Sequence, residues 1–121
     1  MVVTKRVYDA PAPDDGWRVL VERLWPRGLK KEAAHLDAWE KRVAPSDALR
    51  KWYAHDPAKW EEFQRRYARE LEAPEAREAL DELVRRARRG RVTLLYASRA
   101  GEISNAAALQ RLLAARLARH H

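Results

Sequence analysis

The sequence predicts an α/β fold: one compact domain with a small, mainly parallel sheet flanked by helices. Three observations predict it. Val19, Leu20 and Val21, and later the run 92–97, are near-continuous apolar stretches of strand-favouring residues, the pattern of strands covered on both faces. Between and after them, apolar residues recur at helical spacing. The 121 residues suffice for one domain and carry no internal repeat or dividing linker, so the domain is read as 1–121 with its core over residues 3–118.

Taken in order, residues 2–8 read as a first strand with Val3 and Val7 as apolar positions, closed by Asp9. The Pro, Asp and Gly residues of 10–16 make a loop. That loop is shorter than the roughly dozen residues a crossover helix needs, so spacing alone predicts an antiparallel pair, or a join without a full helix. The second strand, through Val21, runs into Glu22-Arg23-Leu24-Trp25-Pro26-Arg27-Gly28, where Pro26 removes a backbone donor and Gly28 permits a sharp turn. Residues 30–35 predict a short helix. Residues 36–43 fit two patterns: Leu36, Trp39 and Val43 share a helical face, whereas Asp37, Trp39, Lys41 and Val43 share one face of a strand. After Pro45, Ser46 caps a helix through residue 52. Asp56 and Pro57 start the next helix, whose Trp60, Phe63, Tyr67 and Leu71 stack on one face. Pro74 opens another, with Ala76, Leu80, Leu83, Val84 and Ala87 as its buried stripe and Gly90 as its stop. The strand 92–97 and a polar loop, 98–102, follow. Ser104 then caps a last helix with Leu109, Leu112, Leu113 and Leu117 facing the core.

Composition narrows the function classes. Hydrophobic residues make up 46% of the chain, a globular proportion, and 25 Lys+Arg against 18 Asp+Glu give +7, which favours anionic partners. Cysteine is absent, which excludes disulfides, thiolate zinc sites and a cysteine nucleophile. No apolar run reaches the ~20 residues of a membrane span, and the first residues lack signal-peptide order, so the expectation is a cytoplasmic protein without membrane contact. His120 and His121 are given no role. Oligomeric state is left open.

Several phrases together resemble one family: Tyr8-Asp9; Arg18-Val19-Leu20-Val21 with Arg23-Leu24-Trp25-Pro26-Arg27-Gly28; Ala44-Pro45-Ser46; Leu49-Arg50-Lys51-Trp52; His55-Asp56-Pro57; Phe63 with Tyr67, Glu70 and Leu71; and Thr93-Leu94-Leu95-Tyr96-Ala97. The chain is similar to the YeaO-like bacterial family, domain of unknown function 488, over nearly its whole length. The resemblance implies a compact α/β domain without an assigned reaction, and first and second strands that are parallel despite their short connection. Three positions depart from the family pattern: Glu22 stands where Asp is usual, Ala100 where an acid is common, and Ser104 where His commonly precedes Asn105.

The candidate chemistry gathers at the carboxyl ends of the strands, where open α/β sheets bind ligands. Arg23, Arg27, Arg50 and Arg99 are candidates for a pocket taking a small anionic or phosphate-containing ligand, since guanidinium groups hold such anions through paired donors. The plain alternative for Arg23 is an internal pair with Glu22, Asp9 or Asp37. Trp25 and Tyr96 are candidate stacking residues, or else core and loop anchors, and Asn105 is a candidate contact near the start of the last helix. Candidates for catalysis are His55, a general acid or base near neutral pH, and the carboxylates Asp9 and Glu22. The plain reading makes His55 a helix-start hydrogen bond and the carboxylates counter-ions to Arg23 and Arg27. The run Arg85, Arg86, Arg88, Arg89 and Arg91 favours a helix C-terminus through its dipole, or else contacts nucleic-acid phosphates. No glycine-rich phosphate loop, dinucleotide fingerprint or metal-ligand pair is present, so neither cofactor nor metal is expected. Three readings follow: a small-anion-binding domain, a nucleic-acid-binding accessory protein, and a non-catalytic protein-interaction domain.

Overall fold

The computed structural model describes residues 1–119; His120 and His121 lie outside the described residues. Strands β1 (Val2–Arg6), β2 (Trp17–Leu20), β3 (Ala38–Trp39) and β4 (Val92–Tyr96) form one parallel sheet in the order β1-β4-β2-β3. Five helices accompany them: α1 (Lys31–Ala34), α2 (Asp47–Tyr53), α3 (Trp60–Glu70), α4 (Pro74–Arg89) and α5 (Asn105–Ala118).

Strand alternation divides the core. Val19, Val21, Val92, Leu94 and Tyr96 join the large core built with α2, α3, α4 and α5, including Phe63, Tyr67, Leu83 and Leu109. Leu20 and Leu95, on the opposite face, join Val7 in a smaller core that Trp25, Leu29, Leu36 and Trp39 close. Thus β4 is buried along its whole length, as its apolarity predicts, but one face is covered by the loop carrying Trp25 and Leu29 and by Leu36 and Trp39, and not by long helices.

The antiparallel alternative for the first two strands is overturned: both run parallel to β4, which lies between them. The short link works with only a 3-10 turn, Pro13–Asp15, in place of a crossover helix because it crosses the loop-covered face. Thr93 donates its hydroxyl to the Asp15 carbonyl at 2.6 Å, and Trp17 N–H reaches the Arg91 carbonyl at 2.9 Å. Asp15 is buried and receives Lys5 at 3.2 Å, the Ala12 N–H at 3.0 Å and the buried Arg18. Arg18 also donates to the Ala34 and His35 carbonyls at 2.9 and 3.0 Å. Burial alone would raise the Asp15 pKa, but these donors outweigh it and hold the carboxyl below its usual value.

Residues 36–43 follow neither sequence pattern in full: β3 is two residues long and a 3-10 turn, Lys41–Val43, follows it. Trp39 is needed on the small core and Val43 on the large one, so the chain must change faces between them. The expected caps form. Leu49 N–H donates to Ser46 Oγ at 3.1 Å, and Ala58 N–H to Asp56 Oδ1 at 3.0 Å. Glu70 accepts both the backbone N–H and the hydroxyl of Ser46, tying α3 to the start of α2. Among the described residues, no helix is long and apolar enough to cross a membrane.

Candidate functional site

The parallel strands deliver their following loops to one edge, and a cleft of about 440 Å³ opens there. Its lining includes Glu22 and Arg23 after β2, residues at and just past the end of α2 including Arg50 and His55, and Ala97 and Ser98 after β4. Tyr53 and Phe63, stacked with ring centroids 4.0 Å apart, supply an aromatic wall. Tyr53 donates to the Ile103 carbonyl at 2.7 Å, and burial pushes its pKa up to about 12, so it stays a neutral wall. Asn105, in the first turn of α5, also lines the cleft and donates to the Val21 carbonyl at 2.8 Å.

Each cleft cation is held differently. Arg23 donates to the Pro45 carbonyl at 3.1 Å and the Ala44 carbonyl at 3.4 Å, so it braces the loop before α2 instead of pairing with Glu22, Asp9 or Asp37. Among the described residues, the Arg50 side chain has one polar contact, 3.4 Å to the exposed Asp47. Lys51, beside it on α2, lines the cleft too and was not singled out by the sequence, where adjacent basic residues on a helix carry no directional signal.

Glu22 Oε1 accepts the Ala97 N–H at 3.3 Å. Burial raises the Glu22 pKa above its ordinary value, against the lowering effects of that N–H and of Arg50. His55 is pushed the other way, by lost hydration and then by the Arg50 charge. The two titrating groups therefore share one cleft and both lean toward their neutral forms, with Arg50 acting on each. His55 and the preceding Ala54 both take left-handed backbone, φ 55° and 46°, a conformation costing roughly 1–3 kcal/mol for a non-glycine residue. Two such residues in succession form the cleft wall.

The remaining candidates lie elsewhere. Arg27 and Arg99 line a second cleft of about 450 Å³ with Arg6, Tyr8 and Ala97. Arg6 and Tyr8 were not among the sequence candidates, because a strand-end arginine and an exposed tyrosine are common. Trp25 does not face the first cleft: its Nε1–H donates to the Leu29 carbonyl at 2.7 Å and its ring meets Trp39 edge-on at 5.4 Å. Tyr96 is buried in the large core and contacts a separate groove beside Gly101. Asp9 is exposed and lines neither cleft, so the expected meeting of Asp9 with Glu22 does not occur. Ala100 and Ser104, two of the departures from the family pattern, are also outside the first cleft. Ser104 caps α5 by accepting the Ala107 N–H at 3.1 Å.

The arginine run sits at the opposite edge of the sheet, where α4 leads into β4. Arg85 and Arg86 pair with Glu82 at 2.9 and 3.0 Å, Arg86 also stacks over Trp17 at 4.0 Å, and Arg91 lies 3.6 Å from Asp14. Arg88 and Arg89 are exposed. Among the described residues, no group of three or more His, Asp or Glu side chains is placed to hold a metal ion.

Comparison with known proteins finds relatives over most of the chain. A family model described as the inactive DUF488-N3 subclade matches residues 1–121. An uncharacterized protein of Mycobacterium tuberculosis (strain H37Rv), Rv3073c, is 45% identical over 108 residues, covering 89% of each chain. The uncharacterized protein YeaO of Escherichia coli K12 is 40% identical over 95 residues, 78% of this chain and 81% of its own. No solved structure matches. With the model spanning the whole chain and relatives this similar over most of theirs, the protein belongs to the DUF488 family, in the subclade described as inactive.

Proposed function

We propose that this domain binds a small anionic, phosphate-containing ligand in the cleft between Glu22, Arg50 and Ser98, and holds it without turning it over. The observation that carries this reading is Arg50. It lines the cleft, its charge acts on both Glu22 and His55, and its one ion pair among the described residues is a 3.4 Å contact to the solvent-exposed Asp47. A guanidinium with spare donors in an aromatic-walled cleft fits a phosphate or carboxylate oxygen pair. Lys51 adds charge, and the left-handed backbone at Ala54 and His55 is the kind of strain that collects at binding sites. Absence of turnover is supported by the family description.

The test is a thermal-shift comparison of wild type and Arg50→Ala against inorganic phosphate and sugar phosphates. A ligand at ~100 times its dissociation constant adds roughly 2.7 kcal/mol, a rise of several degrees. The reading expects that rise in wild type and its loss in the variant; equal rises in both, or none in either, contradict it. The nucleic-acid reading draws less support, because three of its five arginines are engaged with Glu82 or Asp14. The protein-interaction reading would gain from a flat anion panel.

A further inference from the structure

The second cleft differs in kind from the first. Arg6, Arg27 and Arg99 surround it and no carboxylate is among its lining residues. Arg6 is fixed: its guanidinium donates to the Ala97 and Ser98 carbonyls, each at 3.1 Å, and lies 5.0 Å from the centre of the Tyr8 ring. The Tyr8 hydroxyl in turn donates to the Arg27 carbonyl at 2.7 Å, which fixes the turn that carries Arg27. Arg27 and Arg99 are exposed, and among the described residues neither is ion-paired. Ala97 lines both clefts. Its N–H meets Glu22 of the first cleft, while its carbonyl meets Arg6 of the second. The chain leaving β4 is therefore a low ridge with Arg50 and Lys51 on one side and the three arginines on the other.

We propose that the two clefts are subsites of one site, and that this edge of the sheet takes a linear chain of linked phosphates lying across the ridge at Ala97 and Ser98. The inference rests on the anion reading of the first cleft and specifies its ligand. The linings of the two clefts set Arg23, Arg50 and Lys51 on one side and Arg6, Arg27 and Arg99 on the other against one lining carboxyl, Glu22, while Asp47 touches Arg50 from outside the cleft. One phosphate satisfies one cleft and leaves the other bare. A chain of three places an anion in each and offers paired oxygens to the spare donors of Arg50, Arg27 and Arg99.

Calorimetric titration of the full chain with inorganic phosphate and tripolyphosphate tests this, using wild type, the Arg27→Ala/Arg99→Ala double variant, and an Arg88→Ala/Arg89→Ala variant. The last pair removes the same charge at the far edge of the sheet. All four side chains are exposed, and unchanged melting temperatures confirm that the variants fold. Wild type should hold tripolyphosphate at least about tenfold more tightly than phosphate, the worth of one charge-assisted hydrogen bond. Arg27→Ala/Arg99→Ala should erase that advantage and leave phosphate binding alone, and the far-edge variant should match wild type. Retention of the advantage in the first variant, or an equal loss in the far-edge one, overturns the spanning ligand while the first cleft stands. Failure of wild type to bind phosphate overturns the first-cleft reading and this inference with it. Adenosine triphosphate as a third probe identifies the source: tighter binding than tripolyphosphate assigns the chain to a nucleotide, weaker binding to a free polyphosphate.

Discussion

Two arginines that the sequence offers for one anion pocket, Arg23 ahead of Arg50, have different occupations. Arg23 gives its donors to the Ala44 and Pro45 carbonyls, whereas Arg50 keeps most of its own. Arg23→Ala should therefore lower stability by about 1–3 kcal/mol in urea unfolding, through the carbonyls it deserts, while Arg50→Ala should stay within about 0.5 kcal/mol. Glu22 makes a pH-dependent prediction. Its folded pKa lies above the unfolded one, so the folded state binds the extra proton, and its charged form costs stability as pH rises through the raised value. Glu22→Gln keeps an acceptor for the Ala97 N–H and loses the charge. It should be more stable than wild type near neutral pH, with the difference closing as pH falls to about 4, where the unfolded carboxyl also protonates. Parallel urea midpoints at the two pH values check this. At the other edge of the sheet, Asp15→Ala strands the buried Arg18 and should cost about 3–5 kcal/mol.

At the scale of the element, two turns carry the decisive geometry. Gly16 takes φ 68°, and a Cβ there would stand 2.2 Å from the Arg91 carbonyl oxygen. The closeness follows from the link between β1 and β2 crossing β4 with only the 3-10 turn Pro13–Asp15 and no α-helix to hold it off. Gly16→Ala should destabilise by roughly 2–4 kcal/mol, read from the denaturation midpoint. Ala54 is the reverse case, a left-handed residue at the end of α2 where glycine is favoured. Ala54→Gly should stabilise by about 1 kcal/mol. Helices were legible because their signals are local: Ser46, Asp56, Pro57, Pro74 and Ser104 mark starts, and Phe63, Tyr67 and Leu71 mark a buried face. The strand order was not legible. Nothing between Val7 and Gly16 states that a strand from residue 92 onward will separate β1 from β2. For the same reason residues 36–43 matched two periodicities and adopted neither, since their faces are assigned by cores that other segments complete.

The whole molecule separates its charge by edge. The carboxyl edge of the sheet gathers Glu22, Arg23, Arg50, His55 and Asn105, all sequence candidates, into one cleft, because strand ends in a parallel sheet share an edge whatever their separation in the chain. Arg27 and Arg99 fall on the other side of the Ala97 ridge, and Trp25 and Tyr96 are consumed by packing. These divisions depend on side-chain direction, which residue order within a turn does not encode. The amino edge holds the arginine run, three of whose five members are engaged with Glu82 or Asp14. The central claim is that the carboxyl edge, and not the net charge of +7, takes the anion. Backbone amide spectra recorded during a titration with inorganic phosphate test it most directly. The account predicts saturable shifts centred on Ala54, His55, Ala97 and Ser98. Shifts that never saturate, or that centre on Arg88 and Arg89, would contradict it.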